Sequence, residues 1–267
     1  MRKNIMAYII VRKINVQAIP CLLVYNNIAS TKSIVFIFHK LLENKESELS
    51  LAYKLAEEGF FVVTIDMRGH GERENSYEKI GLYEFNNLIK DCFGTANDAL
   101  EIITYFKTSN EFKLDYNDLT CIGISIGANI ALMTGYLSET VNRVVSLIGS
   151  LDWEDSIKNN KFISFRFHSR NKSMIQYENV ENDILKYNPI FNYPKLKRLP
   201  KLLFSNGLLD ATIPIESATL YYKEMEKIYH NQGCKKLIEM KTYAKTGHYV
   251  TYKMTDDLFC WLKNENK

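Results

Sequence analysis

Apolar, β-branched runs alternate with helix-suited segments along most of this chain, and that alternation constrains the fold more than any single motif. Eight strand-like runs stand out: Ile5–Val11, Ile19–Tyr25, Ser33–Phe38, Phe60–Ile65, Leu119–Ile122, Val141–Ile148, Lys201–Phe204 and Lys236–Lys241. Between and after them lie segments of helical character at 45–58, 82–106, 128–134, 217–229 and 249–262. In 45–58, Leu49, Ala52, Leu55 and Ala56 share one face, and Gly59 stands where a helix commonly stops. Strands that read as continuous apolar runs are buried on both faces, so the pattern predicts a mostly parallel central sheet of about eight strands with helices on both sides.

The alternation fails between Ser150 and Pro200. This stretch mixes Trp153, Phe162, Phe165, Phe167, Tyr177, Tyr187, Phe191 and Tyr193 with many charges. An insertion of this length after a core strand reads as a cap over a site rather than a structureless loop. The expected organisation is therefore a core of residues 1–149 and 201–267 with a cap or lid at 150–200. The apolar pocket of that cap is expected to draw on Phe162, Phe165 and Phe167.

Composition narrows the function classes. Hydrophobic residues make up 46% and charged ones 24% of the 267 residues, a globular balance. The formal charge is +3, with cations interleaved with acids, so no nucleic-acid footprint is expected. Five scattered cysteines form no CxxC pair, which argues against a zinc site or disulfide framework and fits a reducing cytoplasm. The start, with Arg12 and Lys13 breaking its apolar run, reads as a first strand and not a signal peptide. No run approaches the length of a membrane helix, so no membrane partner is expected. Phosphate loops, dinucleotide fingerprints and His-Glu-x-x-His are absent, and neither cofactor nor metal is expected.

Chemistry centres on Gly123-Ile-Ser-Ile-Gly127, which sits where the strand ending at Ile122 should turn into a helix. A serine between glycines at such a junction can be held on a tight elbow, its oxygen above the sheet. A serine hydroxyl needs a base, and the base needs an orienting acid. Asp210, in Gly207-Leu-Leu-Asp-Ala-Thr-Ile-Pro214, follows a strand at the carboxyl edge of the sheet. His248, in Lys245-Thr-Gly-His248, follows the last strand at the same edge. Asp152, after the sixth strand, is a rival for the acid. Among the other histidines, His39 is the next candidate for the base, and His70, His168 and His230 rank below it.

The constellation resembles the α/β-hydrolase superfamily, and within it small bacterial carboxylesterases and prolyl-oligopeptidase-like serine hydrolases. Phe38-His-Lys-Leu-Leu-Glu43, Asp66-Met-Arg-Gly-His-Gly-Glu-Arg73, the serine elbow, the Asp210 loop and Gly247-His-Tyr249 carry the resemblance. It implies Ser125 as nucleophile, Asp210 as acid and His248 as base. The backbone amides of Ile126 and Leu41 would form the oxyanion hole, and His70 would be structural. The chain departs from the pattern at Lys40, where the family usually has glycine. A lysine there takes an ordinary negative φ or stores strain, and it either stands as a solvated loop residue or brings a cation to the site mouth.

The expected activity is hydrolysis of a small-molecule ester with a short to medium acyl chain. The alternatives on the same triad are an acyltransferase or thioesterase and a small peptidase, the last weakened by the lack of a long gating domain. A hydrolase-like ligand-binding protein without turnover is a further alternative. Oligomeric state is left open, a homodimer included.

Overall fold

The computed structural model describes residues 7–28, 32–73, 85–149, 182–183 and 185–263. Its strands are β1 (Ile9–Val16), β2 (Ile19–Asn26), β3 (Lys32–Phe38), β4 (Phe61–Ile65), β5 (Leu114–Ile124), β6 (Val141–Leu147), β7 (Lys201–Gly207) and β8 (Ile238–Tyr243). They form one eight-stranded sheet in the order β1-β2-β4-β3-β5-β6-β7-β8. Only the β1–β2 and β2–β4 pairings are antiparallel, and the sheet from β4 to β8 is parallel. The chain thus has the α/β-hydrolase fold, with its parallel strands all ending on one edge.

The α-helices that lie wholly among the described residues include α1 (Leu49–Glu57), α2 (Phe85–Ser109), α3 (Gly127–Leu137), the short α4 (Pro189–Asn192), α5 (Ile215–Asn231) and α6 (Tyr252–Lys263). Alternate strand residues explain the two layers they make. Phe36, Cys121, Val144 and Phe204 face one way and pack with Leu88, Ile130, Met133, Tyr221 and Met225 of α2, α3 and α5. Val35, Ile122, Val145 and Leu203 face the other way, onto Leu51, Leu55, Met254 and Leu258 of α1 and α6. All eight of these strand side chains are fully buried, and each contributes about 1.5–3 kcal/mol relative to exposure where it is large and apolar.

Element edges differ from the sequence pattern for local reasons. The β1–β2 turn is Gln17-Ala18, both with positive φ (49° and 68°), the conformation that matches strand twist in a two-residue hairpin. Charged Arg12 and Lys13 sit within β1, an edge strand, where charge is tolerated. Helix α1 starts at Leu49 and not at Lys45, because Asn44 and Ser47 exchange hydrogen bonds in a turn and the Lys45 amide is drawn to Asp66 Oδ1 at 2.8 Å. It ends at Glu57, and Gly59, with a φ of +93°, follows the cap residue Glu58 in the conformation that suits a position just past a helix. Strand β5 begins at Leu114, five residues upstream of the apolar run. There polar Asp115–Asp118 bridge a register shift against β3. Helix α6 starts after Thr251, whose hydroxyl accepts the Met254 amide at 3.1 Å.

The 150–200 segment is described only in part: residues 150–181 and 184, with Asp152, Phe162, Phe165 and Phe167, lie outside the described residues. From Asn188 onward it packs on the body. Tyr193 is fully buried with its ring against Tyr136 and Tyr229, and the Tyr136 hydroxyl donates to the Tyr187 carbonyl at 3.0 Å.

Candidate active site

The turn between β5 and α3 is shaped by close contact. A Cβ added at Gly123 would lie 2.0 Å from the Gly127 carbonyl oxygen, and one added at Gly127 would lie 2.2 Å from that of Phe38. Neither site admits a side chain, so the chain can fold back on itself and press the start of α3 against the end of β3. Between the glycines Ser125 takes a φ of +56°, an uncommon left-handed conformation for a non-glycine residue. Its amide donates to the Leu147 carbonyl at 2.9 Å, which fastens the elbow to β6. Positive φ also occurs at Leu42, Ile148 and Lys245, in the turns after β3, β6 and β8. Backbone strain is therefore concentrated on the edge where the parallel strands end.

The structure brings Ser125, His248 and Asp210 together. Ser125 Oγ is 2.9 Å from His248 Nε2, and His248 Nδ1 is 2.8 Å from Asp210 Oδ2. The carboxylate can only accept, so Nδ1 carries the ring proton and Nε2 is left to accept the serine proton. Asp210 Oδ1 accepts the amides of Thr212 and Ile213 at 2.9 and 2.8 Å, so the carboxylate is held on both oxygens and its side chain is fully buried. The His248 side chain stays partly open, at 21% exposure. Asp210 is the carboxylate bonded to this histidine, and its rival Asp152 lies outside the described residues.

Two further groups face this edge. Neither the Ile126 nor the Leu41 amide N–H has a hydrogen-bond acceptor among the described residues. Ile126 immediately precedes α3, where a helix N-terminus adds partial positive charge. Leu41 lies in the turn after β3, whose end abuts Gly127. Open backbone donors, one next in sequence to the serine and one in the turn after β3, are the kind of group an oxyanion requires.

At position 40 the chain avoids strain. Lys40 is absent from the left-handed residues, and Leu42 takes that conformation instead, with φ +63°. Lys40 Nζ pairs with Glu43 Oε1 at 3.0 Å, so its charge is matched by a carboxylate. His39 is unsuited to the role of base. It is 2% exposed, both its ring nitrogens are engaged, and burial pushes its pKa down to about 4. His70, 5% exposed, packs against the His39 ring at 5.6 Å in the turn after β4.

Sequence reading did not single out the polar group beneath this loop. Lys45, 2% exposed, donates through Nζ to Asp66 Oδ2 at 2.9 Å and also bonds Glu72. Although burial favours the neutral amine, the carboxylates of Glu72, Asp66 and Glu46 hold Lys45 above its ordinary value. Arg68 makes a two-pronged contact with Asp98, and Arg73 joins it at 2.6 Å. The only sequence signal was Asp66 at the head of a charged, glycine-rich turn. Among the described residues no group of His, Cys, Asp and Glu is suited to hold a metal ion. None of the described helices is long and apolar enough to cross a membrane.

Comparison with known proteins agrees with the fold. The model of the prolyl oligopeptidase family matches residues 47–265. Among curated proteins no sequence match is found. Thermus thermophilus TT1662 superposes with a TM-score of 0.70 at 18% identity, covering 97% of this chain and 100% of its own. Acetyl xylan esterase from Paenibacillus sp. R4 gives 0.65 at 14% identity over 98% of this chain and 90% of its own. Pyrococcus horikoshii acylaminoacyl peptidase gives 0.67 at 17% identity over 98% of this chain but 42% of its own.

Proposed function

The chain belongs to the prolyl oligopeptidase family and is a serine hydrolase of the α/β-hydrolase type, and we propose that it cleaves carboxylic esters of short to medium acyl chains through an acyl-enzyme. The observation that carries this reading is the unbroken series from Ser125 Oγ through His248 to the doubly held carboxylate of Asp210. In the first half-reaction His248 Nε2 takes the Ser125 proton as Oγ bonds to the ester carbonyl carbon. The tetrahedral oxyanion is met by the Ile126 and Leu41 amides, and its collapse expels the alkoxide, which leaves with the proton from Nε2. Water then enters, gives its proton to Nε2 and its oxygen to the acyl carbon, and Ser125 Oγ departs as the hydroxyl. Asp210 keeps the imidazole in the tautomer that can accept and carries the balancing charge for imidazolium.

The similarity to an acetyl xylan esterase over nearly the whole of both chains supports an ester as the scissile group. A peptidase reading draws on the family description and on the acylaminoacyl peptidase, and the same half-reactions would serve an amide. Hydrolysis rates for a series of aryl esters beside matching aminoacyl anilides separate the two. Ser125→Ala is expected to lower ester turnover by about 10⁴-fold or more while leaving the far-UV circular dichroism unchanged. A folded Ser125→Ala protein with wild-type turnover would remove the mechanism.

A further inference from the structure

The loop that presents the Leu41 amide has no glycine at position 40 to set its course, and its geometry is imposed by a buried side chain. His39 ends the run of β3 and lies beneath the loop with 2% exposure. Its Nδ1 is 2.7 Å from the Lys40 carbonyl oxygen, and its Nε2 is 3.0 Å from the Met67 amide nitrogen in the turn after β4. A carbonyl only accepts and an amide N–H only donates, so Nδ1 must carry the proton and Nε2 must be bare. The Lys40 carbonyl also accepts the Glu43 amide at 3.2 Å. That carbonyl belongs to the same planar peptide unit as the Leu41 N–H, and in a trans unit the two point in opposite directions. Holding the oxygen down toward His39 therefore turns the Leu41 N–H away from the ring and leaves it unbonded among the described residues.

We propose that His39 is a positioning residue for the oxyanion hole: its Nδ1–H fixes the Lys40–Leu41 peptide plane, and its Nε2 anchors that plane to the β4 turn. The inference rests on the reading of Ser125 as nucleophile. It differs from the Ser125 and His248 assignments in that His39 touches neither substrate nor reacting atoms. Its effect passes through one backbone donor, so it should appear in the chemical step and in oxyanion binding and not in substrate affinity. Losing an oxyanion donor outright costs about 10²–10³-fold in kcat. A donor left free to rotate should lose part of that.

The test uses the full chain with His39→Ala, His39→Asn and His39→Gln. Asparagine places an amide donor near the position of Nδ1, whereas glutamine reaches the position of Nε2. In His39→Ala, kcat on an aryl ester should fall about 10–100-fold with KM within about threefold. Affinity for a trifluoromethyl ketone, which forms a tetrahedral oxyanion on serine, should fall in parallel with kcat. His39→Asn should recover most of the loss, and His39→Gln should not. If His39→Ala fails to fold, the asparagine–glutamine contrast carries the test. Equal kcat in folded Asn and Gln variants would overturn the proposal, as would a loss confined to KM or to melting temperature. Wild-type protein that is not labelled at Ser125 by a fluorophosphonate would instead defeat the nucleophile reading, and the positioning role with it.

Discussion

The turns after β5 and after β3 each offer one open backbone amide to the same edge of the sheet, yet they are built on opposite principles. The β5 turn is steric. Gly123 and Gly127 bring backbone within distances that no Cβ could occupy, and the strained Ser125 is held by that contact and by one main-chain bond to β6. The β3 turn is polar. His39 bonds Met67 near its start, and Lys45 bonds Asp66 twice at its end. Both ties run to the turn after β4. A steric turn carries its instructions in a few adjacent residues, whereas a polar one depends on partners far along the chain.

The contrast makes the two turns fail differently, and the largest expected effect lies in the polar one. Lys45→Met removes the cation but leaves the Asp66 carboxylate buried, a change that costs about 3–5 kcal/mol where a buried pair is broken from one side. Urea unfolding should show that loss, and Lys45→Met with Asp66→Asn should recover a large part of it. No recovery in the double variant would mean that the turn does not depend on this pair.

Acid should reach the polar turn next. An unfolded histidine takes up its proton as pH falls through about 6.5, whereas buried His39 resists until about pH 4. Across that window the unfolded state holds more protons, so stability drops as acid is added, by about 3 kcal/mol in full for a gap of this size. Burial raises Glu48 to about 7, which acts in the opposite sense, since its folded carboxyl binds a proton before an unfolded one does. His39→Asn removes only the histidine contribution. Its urea midpoint should therefore fall less than that of the wild type between about pH 7.5 and about pH 4.5. Parallel curves for the two proteins would contradict the buried, neutral state of His39.

The smallest response to pH is expected at the elbow. Gly127→Ala forces a methyl group to within 2.2 Å of the Phe38 carbonyl oxygen, an overpacking against backbone that costs about 3 kcal/mol or more. Because the clash involves no titrating group, the penalty measured by urea unfolding should be the same at neutral and at mildly acidic pH. A penalty that grows with acid would show that the two turns are mechanically one.

How far each turn could be read in advance follows from the same difference. The strands, the parallel sheet and the two helix layers were legible because apolar runs such as Phe60–Ile65 and Val141–Ile148 leave no other way to bury themselves. The elbow was legible because glycine, serine and glycine at a strand end is a short-range steric instruction. Asp210 and His248 were nameable because each follows a late strand and so must reach the same edge. Polar strand residues hid the true start of β5, and the Asn44–Ser47 turn hid the true start of α1, since both rest on hydrogen bonds that periodicity does not register.

What the sequence determined by itself was the layered α/β architecture and the edge on which its reactive side chains gather, because hydrophobic period and glycine sterics act over a few residues. Only the tertiary structure decided which carboxylate His248 bonds, where the strain of the Lys40 loop settles, and that His39 is a buried strut and not a base. Those outcomes depend on pairings across tens of residues, between β3 and β4 turns and between β7 and β8 loops, where a hydrogen bond exists only once the sheet has placed both partners.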